Sequence, residues 1–115
     1  SNLINSKFIN ADFSRAIIRN SDFSSSSFRE ASFVNSKIMS VILVDTDCTR
    51  ANFENSRLED IKVSSDTSFE EASFVGAIIK GVNFEKVKLK GAKFSSSFKS
   101  ELKRQNINIE DIIFV

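Results

Sequence analysis

From Leu3 to Phe94 a large apolar residue returns at every fifth position: Leu3, Phe8, Phe13, Ile18, Phe23, Phe28, Phe33 and onward. Two places before each stands a small or β-branched residue, Ala in seven cases and Ser in six. Neither a helical period of 3.6 nor a strand period of 2 fits this beat. The spacing lengthens to six once, between Val63 and Phe69, then resumes through Phe74, Ile79, Phe84, Leu89 and Phe94. Over 19 repeats neither position holds a charge, although 27% of the chain is charged. Composition alone would put roughly ten charges there. Both positions must therefore face inward and the other three outward.

A longer period lies beneath the first. Every fourth repeat reads Ala-x-Phe: Ala11-Asp12-Phe13, Ala31-Ser32-Phe33, Ala51-Asn52-Phe53, Ala72-Ser73-Phe74 and Ala92-Lys93-Phe94. Like residues recurring every 20 or so positions mark a solenoid whose coil takes four repeats, with centres stacked in columns. Five coils at about 4.8 Å each predict a rod of roughly 24 Å. Val41, Ile61 and Val82 replace the small residue in one column, which predicts a wider or more strand-like side there. The extra residue within Ser64-Ser65-Asp66-Thr67-Ser68 must bulge outward, since an inward insertion would turn every later side chain off its face. Such a bulge is either a tolerated corner or a recognition feature at the coil edge.

The pattern [STAV]-[DN]-[LF]-[STR]-x is closely matched by Ala11-Asp12-Phe13-Ser14-Arg15 and Ser21-Asp22-Phe23-Ser24-Ser25, and nearly by Ala51-Asn52-Phe53-Glu54-Asn55. On these residues the chain resembles the pentapeptide-repeat family over residues 1–94. The resemblance implies an all-β solenoid, a right-handed quadrilateral β-helix of about five coils with four pentapeptides per coil.

After Phe94 the next centre would be Lys99, which cannot face a core. Residues 95–115 therefore read as a C-terminal cap. Ser95, Ser96 and Ser97 are N-cap candidates for a short helix over about 97–105, in which Phe98 and Leu102 share a face. Lys103 and Arg104 suit its negative C-terminus. An extended segment follows, or two further repeats in register, Ile107-Asn108-Ile109 and Ile112-Ile113-Phe114. In several family members the terminal cap makes a dimer contact, so the resemblance allows a homodimer through this tail. The chain starts in register and ends abruptly, which reads as a fragment of a longer protein, with Ser1-Asn2 as a tag remnant.

Composition narrows function mainly by exclusion. The chain has 115 residues, 12 Phe, one Cys, and no His, Trp, Tyr or Pro. A net charge of +1 argues against both a polyanion mimic and a general nucleic-acid binder. The charge is uneven: residues 1–79 hold eight Lys/Arg against eleven Asp/Glu, whereas 80–115 hold eight against four. One Cys rules out an internal disulfide framework, and no apolar run is long enough for a transmembrane helix. No secretory signal sequence is expected from this pattern.

Catalysis has little to use. Without His there is no ordinary general base, Cys48 falls on a centre, and Glu59-Asp60, Glu70-Glu71 and Glu110-Asp111 are adjacent outward carboxylates best read as solvated charge. No phosphate loop and no metal-ligand spacing occurs, so no cofactor, metal or enzyme activity is expected. In the second column Asn10, Glu30, Arg50, Glu71 and Gly91 set opposite charges side by side, a structural feature.

Two outward features are candidate binding sites. Met39, Ile42 and Val44 form an apolar patch on the third coil. Lys86, Lys88, Lys90 and Lys93, extended by Lys99, Lys103 and Arg104, form a basic end suited to an acidic partner, anionic lipid or nucleic acid. The lack of interleaved exposed aromatics argues against specific nucleic-acid reading. The expected function is a non-enzymatic repeat scaffold for protein–protein interaction, possible as a domain of a larger bacterial protein or secreted effector. It would be soluble, in the bacterial cytoplasm or delivered into a host cell. The alternative the resemblance offers is a DNA-mimicking, gyrase-binding protein of the quinolone-resistance type. That mimicry needs an acidic stripe, and the outward charges here are mixed.

Overall fold

The corners of the coil explain most of its outward sequence. Each turn closes from an apolar centre: the Ala11 N–H donates to the Phe8 carbonyl (3.1 Å), Ala31 to Phe28 (3.0 Å) and Ala51 to Cys48 (3.1 Å). The residue two after the centre has φ near +60°, as at Asn5 (61°), Asn10 (61°), Asn35 (61°) and Asn55 (59°), the third position of a type II turn. Asn and Gly tolerate that conformation best, which accounts for their recurrence in this slot. Gly76 (φ 75°) suits the slot, and a Cβ there would also force the Asn55 side-chain amide of the coil below to move. The residue before the centre supplies the other half of the corner. Asp12, Asp22, Asp47 and Asn52 each accept with Oδ1 the N–H two residues on, at 2.9, 2.9, 3.0 and 2.9 Å. That local bond is the physical basis of the Asp/Asn preference.

These repeats stack as a β-solenoid of about five turns in the computed structural model, which describes residues 3–115. The reading of Ser1-Asn2 lies outside the described residues. Strands β1 (Ile17–Arg19), β2 (Lys37–Ile42), β3 (Arg57–Lys62) and β5 (Ile78–Val82) pair in parallel in the order β1-β2-β3-β5. Strands β4 (Ser73–Phe74), β6 (Lys93–Phe94) and β7 (Ile113–Phe114) form a second parallel sheet. Elsewhere single-residue bridges carry the same register, as in Lys7, Ser27, Asp47, Ser68 and Lys88. Strands β2, β3 and β5 run on through Val41, Ile61 and Val82, so the β-branched column is the strand-rich part, as its composition predicts. The molecule measures 33 × 26 × 22 Å.

The axis is filled by columns of centres. Phe13, Phe33, Phe53, Phe74 and Phe94 stack with successive ring centroids 5.1, 4.9, 5.0 and 4.8 Å apart. Each pair adds roughly 0.5–1.5 kcal/mol beyond area burial. Ala31, Ala72 and Ala92 beside them are fully buried. The inward hydroxyls are satisfied locally: Ser36 and Ser56 donate to the Phe33 and Phe53 carbonyls at 2.7 and 2.6 Å. Thr67 donates to Leu43 O at 2.6 Å, and its own N–H closes a turn on Ser64 O (3.0 Å). The six-residue slip therefore keeps Thr67 inward and leaves Ser65 and Asp66 exposed at the corner.

At the far end the serines do not act as expected. A 3-10 turn, Ser96–Phe98, leads into helix α1 (Lys99–Arg104), and neither has a side-chain N-cap. Ser95 Oγ instead accepts the Gly76 N–H (2.8 Å), and Ser96 Oγ donates to Val115 O (3.1 Å), because the stacked coil leaves those backbone groups open. Phe98 stacks on Phe94 (5.3 Å), and Leu102 is fully buried. Gln105 accepts the Phe84 N–H with Oε1 (2.9 Å) and donates through Nε2 to Val82 O (3.2 Å). One side-chain amide thus stands where a peptide group of the next coil would be. The chain then rejoins the coil, with Phe94 in register with Phe114.

Candidate functional site

Four columns of centres give the coil four sides, and two opposite sides differ outwardly. The side built on Phe28, Cys48, Phe69 and Leu89 carries ion pairs from coil to coil. Arg29 holds Asp47 at 3.1 Å, and Arg50 lies between Glu71 (2.8 Å) and Glu30 (3.7 Å). The expected column of alternating charge is thus in place. Asp47 also accepts from the Thr49 N–H and hydroxyl (3.0 and 2.5 Å). Partial burial works to raise its pKa, but the Thr49 bonds and the Arg29 guanidinium outweigh it and hold Asp47 below the ordinary carboxylate range.

The opposite side is the four-stranded sheet. Its outward residues run in two columns, Ile17, Lys37, Arg57, Ile78 and Arg19, Met39, Glu59, Lys80. Arg57 holds Glu59 at 2.8 Å. Among the described residues, Arg19, Lys37 and Lys80 have no carboxylate within ion-pair distance. Ile17 and Ile78 are 63% and 51% exposed, more than any residue of the expected apolar patch. The sequence carried the signal, since Ile17 and Ile78 occupy the same outward slot in stacked repeats.

Met39, Ile42 and Val44 are all half-buried and wrap a corner. Met39 lies on the sheet side between Arg19 and Glu59, whereas Ile42 lies past the Ser40 corner (φ 55°), between Asp22 and Lys62. The four lysines also spread around one coil. Lys88 and Lys90 lie on the ion-paired side, Lys93 is in β6 on the next side, and Lys86 sits at the preceding corner. Lys99 Nζ sits 5.5 Å from the Phe114 ring centroid.

Cys48 is buried at 1% exposure, and burial, aided by the Asp47 charge, pushes its thiol far up. Glu59 and Glu71 are held by arginines. No group of three or more potential metal ligands exists among the described residues, and no helix is long and apolar enough to cross a membrane.

Comparison with known proteins agrees with this architecture. The family model for pentapeptide repeats matches residues 1–35 and 65–96 in eight copies. No curated protein matches in sequence. Among solved structures, a pentapeptide repeat protein from Nostoc PCC 7120 is similar with a TM-score of 0.65 at 18% identity, covering 95% of this chain and 84% of that one. Another from the cyanobacterium Cyanothece 51142 gives 0.55 at 19% identity, with 99% and 84% covered. A trypsin-treated form of QnrB1, a plasmid-mediated fluoroquinolone resistance protein, gives 0.50 at 21% identity, with 98% and 59% covered. The chain spans 39% of HetL, a Nostoc pentapeptide repeat protein involved in heterocyst differentiation regulation. Likeness at these identities concerns the fold. With turn chemistry, column register and family match in agreement, the chain belongs to the pentapeptide-repeat family.

Proposed function

We propose that this chain is a non-enzymatic scaffold that binds another protein along the outside of its coil. The observation that supports this reading most is the fixed spacing of outward side chains. Strand pairing, stacked Phe rings and corner bonds hold the outward columns in register, and on the strand-rich side Ile17, Ile78, Arg19, Lys37 and Lys80 are accessible. Met39, Ile42 and Val44, with Lys62 beside Ile42, are the first contact residues to test, and Lys86, Lys88, Lys90 and Lys93 the second. Mixed charge on the ion-paired side favours this reading over a DNA mimic, which needs a continuous anionic track. Photo-crosslinkers placed at Met39, Ile42 and Lys88 in cells would test it. The expected result is one recurrent protein adduct at Met39 or Ile42, abolished at unchanged melting temperature when the other two residues of the Met39, Ile42 and Val44 group are replaced with Ser. Adducts that are absent, or unaffected by that double change, would overturn the assignment of that surface.

A further inference from the structure

The four-stranded side has a definite chemical pattern. In one column Ile17 and Ile78 stand at the two ends, with Lys37 and Arg57 between them. At about 4.8 Å per strand the isoleucines are about 14 Å apart. The neighbouring column puts Arg19 and Lys80 at its ends with Met39 and Glu59 inside, and Glu59 holds Arg57 at 2.8 Å. Three of these cations have no carboxylate partner among the described residues, whereas Arg29 and Arg50 on the opposite side are both paired. The platform thus presents aliphatic ends, the unpaired cation Lys37 beside the Arg57–Glu59 pair in its middle, and the cations Arg19 and Lys80 next to the isoleucines. None of its eight outward residues is aromatic.

We propose that this side docks an acidic protein segment in which a carboxylate lies between two aliphatic residues. The proposal rests on the scaffold reading and narrows its partner class. An extended segment crossing the strands advances about 3.3 Å per residue, so residues four apart span about 13 Å. Its first and fifth side chains then reach Ile17 and Ile78, and the third, on the same face of the segment, meets Lys37 and Arg57. Arg19 and Lys80 lie beside Ile17 and Ile78 on the same strands, where they attract the segment's flanking acids by charge without side-chain contact. Opposite charge steers and registers such a contact, while aliphatic burial supplies affinity. A nucleic acid would satisfy the cations but leave both isoleucines idle, and a platform without aromatics offers its bases nothing to stack on.

The test is an NMR titration of the isotopically labelled full chain with the synthetic peptide Gly-Asp-Leu-Glu-Glu-Glu-Leu-Asp-Gly. Amide shifts should concentrate at residues 17–19, 37–39, 57–59 and 78–80. Lys37→Glu should weaken binding by about tenfold, the scale of one desolvated charge contact. Ile17→Ser with Ile78→Ser should do likewise, and Arg50→Glu should leave the peptide affinity unchanged. All of these positions are exposed, so the variants should fold, which their amide spectra would show. The proposal fails if shifts fall on the Arg29–Arg50 side, if no saturable shift occurs, or if the peptide with Lys for Glu binds equally. It fails equally if oligothymidylate or phosphatidylserine vesicles displace the peptide at comparable concentration, because the surface would then be a general anion binder. A cellular crosslink at Met39 that survives Lys37→Glu would refute this docking mode and leave the scaffold reading intact.

Discussion

The two opposite sides of the coil share one interior and have different exteriors. On the Phe28–Cys48–Phe69 side, Arg29 and Arg50 are held by carboxylates of adjacent coils. On the Ile38–Leu58 side, the strands are longest, yet Arg19, Lys37 and Lys80 have no such partner among the described residues. Where backbone pairing already holds the coils together, outward side chains are free of structural duty and available for recognition. Where only single-residue bridges hold them, cross-coil ion pairs supplement the ladder.

The strongest way to break this comparison is through the shared interior. Phe28 and Ile38 sit at 1% and 3% exposure on the two sides. Phe28→Ala and Ile38→Ala should each cost roughly 2–5 kcal/mol in urea denaturation, because both leave cavities in the same column system. A small loss for only one of them would show that the two sides do not share a core.

Asp47 gives a smaller and pH-dependent handle on the paired side. Its folded pKa is lowered, so its contribution is present above the unfolded value of 3.8 and lost as pH falls through the folded one. Asp47→Asn keeps the Oδ1 acceptor and removes the charge that Arg29 holds. At pH 7 the variant should be less stable by about 1 kcal/mol, the scale of a partly exposed charge-assisted bond. The gap should close as the solution is acidified through the Asp47 titration. A gap that persists in acid would mean that packing, not charge, carries the Asp47 effect.

The fold was legible because inward positions repeat without exception, and the 20-residue column pattern sets the register. The slip at residues 64–68 was legible for the same reason: Thr67 must stay inward to keep Phe69 and everything after it in place. The corners were less so. Asn5, Asn10, Asn35 and Gly76 look like filler until their positive φ is known, and the Oδ1 bonds of Asp12 and Asn52 are invisible without the turn. The cap was half legible. Phe98 and Leu102 announce an apolar helical face, but Gln105 replacing a peptide group at Phe84 and Val82 depends on which backbone atoms the last coil leaves open. The candidate site was the least legible part. Met39 and Ile42 are close in sequence but lie on either side of the Ser40 corner, while Ile17 and Ile78 are 61 residues apart in number and share one column.

The most direct test compares melting temperatures of two variants at low salt. One removes the paired arginines (Arg29→Ala, Arg50→Ala), and the other removes the unpaired cations (Arg19→Ala, Lys37→Ala, Lys80→Ala). Exposed ion pairs contribute up to about 1 kcal/mol, which corresponds to about 4 °C or more in a domain of this size. The account predicts a drop of that order for the double variant, shrinking in high salt, and a change within about 1 °C for the triple variant. A triple variant that melts as low as the double one would contradict it, because those cations would then hold the coil together.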